Sequence, residues 1–186
     1  MSLFNSLFRD KPRGQVLTER EFSELLERQQ RPLLSLALRL VGNWEDAKDL
    51  AQTAFVRLWQ HRQRLEAGRD AAHYLHRVLV NLCIDHLRRR GQHEPPLAFD
   101  ETLFVQADSN PQRQLEDSET QNRLWQCLNA LPPKQKATLI LREVEGYSVA
   151  ETAEILSCSQ NSVLGNLHLA RKKVKEKMQP WLAAQE

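Results

Sequence analysis

The 186-residue chain is poor in glycine and cysteine and has no long apolar run. Six glycines form no Gly-rich loop of the kind that cradles a phosphate. Neither GxSxG nor HExxH occurs, so the motifs of acyl-transfer and zinc-peptidase chemistry are missing. The chain is therefore not expected to be an enzyme or to need a cofactor. Cys83, Cys127 and Cys158 are far apart and odd in number, with no CxxC pair and no disulfide framework. That usage fits a reducing compartment, the cytoplasm. His86 lies three residues after Cys83, a spacing that sets two zinc ligands on one helical face, but no second close pair completes a metal site. No stretch approaches the ~20 apolar residues a membrane span needs, so no stable membrane insertion is expected. Residues 1–8 lack an early basic region and a sustained apolar core, unlike a signal peptide. Strand-like alternation persists nowhere, and the expected fold class is all-α.

Charge is present but unevenly placed. The net formal charge is +2. Residues 1–90 carry 16 Lys/Arg against 11 Asp/Glu, residues 91–126 carry 2 against 7, and residues 127–186 carry 8 against 6. Two basic blocks flank an acidic middle. This suits nucleic-acid contacts at both ends with a connector between, and it is also within ordinary surface variation.

Residues 15–91 read as successive helices. Thr18 with Glu21 forms a capping-box pattern, opening a helix that carries Phe22, Leu25, Leu26, Leu33, Leu36 and Leu40 and stops at Gly42. Pro32 is expected to bend or break it. Asn43 caps a second helix with Ala47, Leu50, Ala51, Ala54, Phe55 and Leu58 on its apolar face. Periodicity fails around residues 66–70, a loop. Asp70 is placed as the cap of a third helix, through Tyr74, Leu75, Val78, Leu79, Leu82 and Leu87. That helix ends in Arg88, Arg89 and Arg90, which suit a helix C-terminus electrostatically whatever else they do.

Residues 92–115 hold Pro95, Pro96, Pro111 and several acids, and read as a linker between a domain at 1–91 and another at 116–186. Leu97, Phe99, Leu103, Phe104 and Val105 are candidate docking points within it. In the second domain, Pro132-Pro133 breaks one helix and starts the next, which stops at Gly146. Ser148 with Glu151 is a second capping box, opening a short helix Val149–Leu156. The turn 157–159 leads to a last helix from Gln160 to about Met178, with Pro180 just beyond.

Short helix, tight turn and longer helix make a helix-turn-helix. Ala153 allows close approach, and Val163 and Leu167 point inward. Gln160, Asn161, Ser162 and Asn166 then face outward on the half that enters a major groove in such motifs. Asn and Gln read adenine bidentately, and Ser serves bases or phosphates. A plain three-helix packing unit would have the same spacing. In the first domain, Asp46, Asp49 and Gln52 recur at i, i+3 and i+6, either a solvated face or a docking surface for a basic helix.

Both blocks, in this order, resemble the extracytoplasmic-function (ECF) group of the sigma-70 family. Asp46-Ala-Lys-Asp-Leu-Ala-Gln52 with Phe55 and Trp59 is similar to its region 2.2. Tyr74 to Asn81, with Asp85 and Arg88 to Arg90, is similar to regions 2.3 and 2.4. Leu131-Pro-Pro-Lys-Gln, Leu141-Arg-Glu, Gly146-Tyr-Ser and Glu151 to Leu156 are similar to region 4. The resemblance spans about 20–180. It implies two helical domains, a region 2 bundle and a region 4 helix-turn-helix, and a function in directing core RNA polymerase to promoters. Asp46, Asp49, Gln52, Phe55 and Trp59 would dock on the polymerase. Arg69, Tyr74, Arg77, Asn81, Asp85, Arg88 and Arg89 would handle the −10 element, where a base of the non-template strand is flipped out as melting begins. Gln160, Asn161, Ser162, Asn166, His168 and Arg171 would contact duplex DNA at the −35 element. An anti-sigma protein is the implied regulator.

The last helix departs from the family pattern. Leu164, Asn166 and Leu169 stand where basic residues are usual, and Gly165 costs about 1 kcal/mol of helix propensity relative to Ala. Tyr74 replaces a usual Trp. The expectation is a −35 contact that is weak, or less electrostatic and more sequence-dependent, unless Leu164 and Leu169 face an inhibitory partner. Two other readings stand beside it. A helix-turn-helix regulator would bind duplex without being a polymerase subunit, and a sigma mimic would bind polymerase without starting transcription.

Overall fold

The computed structural model describes residues 17–65, 69–91 and 111–183. No strand occurs among them. The N-terminal stretch before residue 17, the loop 66–68 and the apolar residues between 97 and 105 lie outside the described residues.

Helix α1 (Glu19–Val41) is capped as expected: the Thr18 side chain accepts from the Glu21 amide, and the Glu21 carboxylate accepts from the Thr18 amide at 2.9 Å. Those Thr18 hydrogen bonds hold the Glu21 carboxyl below its usual range. Pro32 neither breaks nor ends α1, which runs 23 residues across it. Ridges of Leu33, Leu36 and Leu40, all fully buried, hold the helix where the proline removes one backbone bond. Gly42 (φ 75°) turns the chain, its amide bonding Leu38 O, and Asn43 caps α2 (Trp44–His61). A 3₁₀ turn (Arg62–Arg64) follows, and Leu17 N bonds Leu65 O to tie the entry of α1 to the exit of α2. Helix α3 (Arg69–Arg90) already includes Asp70, so Asp70 is a first-turn residue rather than the cap.

Helix α4 (Pro111–Asn129) opens inside the stretch read as linker, with Pro111 in the first turn, where a missing N–H costs nothing. After Pro132, α5 (Pro133–Leu139) passes into a π turn (Ile140–Val144) in which Glu145 N reaches back five residues to Ile140 O. Gly146 (φ 74°) releases the chain into the capping box of α6 (Val149–Leu156). The turn at Ser157 (φ 51°) leads to α7 (Gln160–Leu182), capped by Ser159. Helix α7 runs through Pro180 rather than ending before it.

Helices α1, α2 and α3 pack against one another, as do α5, α6 and α7, with α4 against α7. The two groups also meet: α3 packs on both α5 and α6. One apolar core joins them, with Leu75, Leu79, Val80, Cys83 and Ile84 of α3 in the same cluster as Ala137, Ile140, Leu141, Ile155 and Leu156. Each fully buried Leu or Ile there contributes roughly 1.5–3 kcal/mol relative to exposure.

Candidate nucleic-acid interface

The polar stripe of α2 is only partly free. Asp49 and Gln52 are exposed, but Asp46 turns toward α3. Arg90 donates to its Oδ2 at 3.1 Å, and His86 Nε2 lies 3.3 Å away without hydrogen-bonding alignment. Phe55 packs against the core, and the Trp59 ring is held edge-on to Phe22 at 4.9 Å with the Arg62 guanidinium 3.8 Å above it. The aromatic part of the expected docking surface is therefore half-buried. Val56, 54% exposed, lies one turn beyond Gln52 and on the same face as Asp49 and Glu45. The i+7 spacing from Asp49 is the signal for it in the sequence.

On α3, Arg77, Asn81, Asp85 and Arg88 recur at i, i+4, i+8 and i+11, so one side of the helix carries them all. Arg77 and Asn81 are half-buried; Asp85 and Arg88 are exposed and 3.4 Å apart. Tyr74 departs from the expectation of a surface aromatic. It is 9% exposed, its ring meets His61 at 6.1 Å, and burial pushes its phenol upward. The three terminal arginines diverge: Arg88 pairs with Asp85, Arg89 donates to the Asp85 carbonyl, and Arg90 crosses to Asp46. The Arg69 side chain lies outside the described residues. Leu75, Val78, Leu82 and Cys83 are buried, as expected of core. Cys83 and His86 do not converge: Cys83 lies close to Lys136 of α5, whereas His86 meets Asp46.

Helices α6 and α7 form the helix-turn-helix. Ala153, Val163, Leu167 and Ala170 are buried between them, and Cys158 N bonds back to Ala153 O at 3.0 Å. Gln160, Asn161, Ser162 and His168 are exposed, and Asn166 is half-buried on a flank. The Ser162 hydroxyl is engaged with Ser159 Oγ at 2.8 Å, part of the helix cap. Arg171 reaches Glu143 at 2.5 Å. Leu164 and Leu169 are 50% and 44% exposed.

The sequence reading missed the junction between the halves. Arg39 of α1 meets Glu145 at 2.5 Å, His73 approaches Glu154 at 3.8 Å, and the His76 and Tyr147 rings lie 6.0 Å apart. Burial holds the His76 imidazole below its usual value and the Tyr147 phenol above. At the centre Lys136 is 2% exposed. Its Nζ donates to Asn129 Oδ1 at 2.8 Å and sits 5.2 Å from the Trp125 ring. Desolvation lowers the Lys136 amine to about 7 and raises the nearby Cys83 thiol to about 12. A lysine inside an i, i+3, i+4 apolar pattern was the available signal. Among the described residues, no group of three or more His, Cys, Asp or Glu side chains gathers to hold a metal, and no helix is long and apolar enough to cross a membrane.

These features define a two-part helical protein whose C-terminal part presents a recognition helix. Residues 25–93 match Sigma-70 region 2, and residues 121–174 match Sigma-70, region 4. The chain is 33% identical over 169 residues to the RNA polymerase sigma-E factor of Streptomyces coelicolor, covering 89% of this chain and 88% of that relative. It is 31% identical over 156 residues to the ECF RNA polymerase sigma factor SigE of Mycolicibacterium smegmatis, covering 83% of this chain but 60% of that longer protein. The fold is shared with the sigma factor RpoE solved in complex with the anti-sigma factor NepR from Bartonella quintana. There the TM-score is 0.68 at 20% identity, over 86% of this chain and 98% of that one. It is also shared with CnrH, solved in complex with the cytosolic domain of CnrY, at a TM-score of 0.62 and 20% identity, over 88% and 90% of the two chains. The chain belongs to the ECF group of RNA polymerase sigma factors of the sigma-70 family.

Proposed function

We propose that this sigma factor acts in the cytoplasm without catalytic activity of its own, docking on core RNA polymerase through Asp49, Gln52 and Val56 of α2, with Asp46, Phe55 and Trp59 shaping that surface from behind. The side of α3 bearing Arg77, Asn81, Asp85 and Arg88, with Arg69 and Arg89 at its ends, handles the −10 element. Tyr74 supports that side from within rather than stacking on a base. The exposed half of α7, with Gln160, Asn161, Ser162, His168 and Arg171 and with Asn166 on its flank, reads the −35 element. The observation that carries this reading is that α2 and α7 each keep a polar helix face exposed while burying the opposite, apolar one.

The compact arrangement is the stored form. Elements about 25 base pairs apart, at 3.4 Å per pair, span on the order of 85 Å of duplex, whereas a compact chain of this size has a radius of gyration of about 16 Å. The halves part at the α3 junction when polymerase and promoter take their two faces. Two solved proteins of this fold are in complexes, the sigma factor RpoE with the anti-sigma factor NepR and CnrH with the cytosolic domain of CnrY. An anti-sigma protein holding this chain in its stored form fits that picture. The test is co-purification with core polymerase: D49A/Q52A should weaken it at least tenfold with the fold intact, and undiminished binding would remove the α2 assignment.

A further inference from the structure

Past Ile84 the packing of α3 thins. The buried apolar residues of the helix end there, and Leu87 is the only apolar side chain over residues 85–90. Gly91 follows at once, its amide closing the last turn on Leu87 O. A helix end with so little burial frays unless a side chain ties it down. Arg90 supplies the tie. It is the last residue of α3, yet its side chain is only 17% exposed, for it reaches α2 with Nη1 at 3.1 Å from Asp46 Oδ2. His86, one turn earlier on the same face, brings Nε2 to 3.3 Å from that oxygen. Asp46 is itself fixed. Its amide donates to Asn43 Oδ1 at 2.9 Å, and a carboxylate in the first turn of α2 suits the positive end of that helix.

The tie also sets how the end of α3 is rolled. Arg88 and Arg90 are two residues apart, about 200° around the helix axis, so holding Arg90 inward turns Arg88 out. Arg88 and Arg89 are both exposed and both gather on Asp85, Arg88 on its carboxylate at 3.4 Å and Arg89 on its carbonyl at 3.3 Å. One face of the last turns is thus bound to α2, and the other presents a preset cationic group. Resting on the readings of α2 as the polymerase-docking helix and of α3 as the −10 helix, we propose that Arg90 is a positioning residue in promoter opening. Tied to Asp46, one helical turn before Asp49, it fixes Asp85, Arg88 and Arg89 relative to the docking face of α2. Docking on polymerase then carries this cluster to the melting strand in one set orientation, and Arg90 acts through Arg88 and Arg89 rather than on the DNA.

The experiment uses the full chain, saturating on core polymerase, and a promoter fragment taken from a start that the wild-type chain directs. 2-Aminopurine in the −10 non-template strand reports opening, because its fluorescence rises on unstacking. R90Q should leave core affinity, duplex retention and melting temperature close to wild type while slowing opening about tenfold, the loss expected for one charge-assisted hydrogen bond. R90D should open as slowly or more slowly. D46R/R90D rebuilds the pair with its charges exchanged and should recover the wild-type rate to within about twofold. A merely stabilising pair would move the melting temperature and the core affinity rather than the opening step. Opening by R90Q at the wild-type rate, while R88A opens slowly, overturns the inference and leaves the −10 assignment standing. A slow R90Q that D46R/R90D fails to rescue also overturns it, because Arg90 then acts on the DNA directly. Wild-type opening by both R90Q and R88A overturns the −10 assignment as well.

Discussion

Asn166 and Ser148 show how much one side chain decides. Asn166 lies half-buried on the flank of α7, a flank that meets the DNA backbone on the proposed −35 reading. N166R should tighten promoter binding and steepen its salt dependence by about one counterion, read as the slope of log K against log salt. An unchanged slope would place Asn166 away from the backbone. Ser148 accepts from the Glu151 amide at 3.1 Å and its own amide donates to Glu151 at 2.9 Å. S148A should therefore cost about 1 kcal/mol in denaturant unfolding, and no loss would deny the capping box its role. Both capping boxes were legible because every atom in such a motif lies within four residues. Asp46 was not. The sequence places it on the outer face of α2, but Arg90, 44 positions away, pulls it inward, and no local periodicity reports a partner on another helix. The same limit hid the burial of Tyr74 and the clasp of Trp59 by Phe22 and Arg62.

At the scale of elements, the order and type of the helices were readable, and their bounds near prolines were not. Pro32 lies inside α1, where the buried Leu33, Leu36 and Leu40 outweigh one missing hydrogen bond, Pro180 lies inside α7, and Pro111 starts α4. The packing of α3 on α5 and α6 could not be read at all, because an apolar face does not name its neighbour. The chemistry of that junction makes docking pH-dependent. Lys136 faces the neutral Cys83 thiol from α3 and Asn129 and Trp125 from α4, and its docked value of about 7 lies below the ordinary 10.5. A group with a lowered docked value favours docking above its free value and loses that contribution as pH falls. Docking should weaken by at most about 1.4 kcal/mol per pH unit from about 10 down to about 7, because Asn129 and Trp125 of α4 already cover part of the amine. His76, also lowered by burial, continues the trend in the same direction on the acid side of 6.5. Fluorescence energy transfer between labels on α2 and α7 should fall as pH drops through this window. In K136M, which replaces the amine by an apolar chain of similar length, the slope between 10 and 7 should flatten. A K136M profile that matches the wild type would deny Lys136 this role.

Across the whole molecule, two halves share one core and expose two different helix faces, and that combination suits a factor that is stored compact and works extended. Family membership was legible because its motifs are local runs in a fixed order. The compact arrangement was not, since it depends on contacts such as Arg39 with Glu145 that span 106 positions. E145R should open the molecule and R39E/E145R should close it again, as read by the same energy transfer. The measurement that tests the account most directly is transcription by purified core polymerase with and without this chain, the starts mapped by sequencing. The account predicts new starts from a shared promoter sequence, lost in D49A/Q52A. No chain-dependent start on any template, with the chain bound to polymerase, would contradict it.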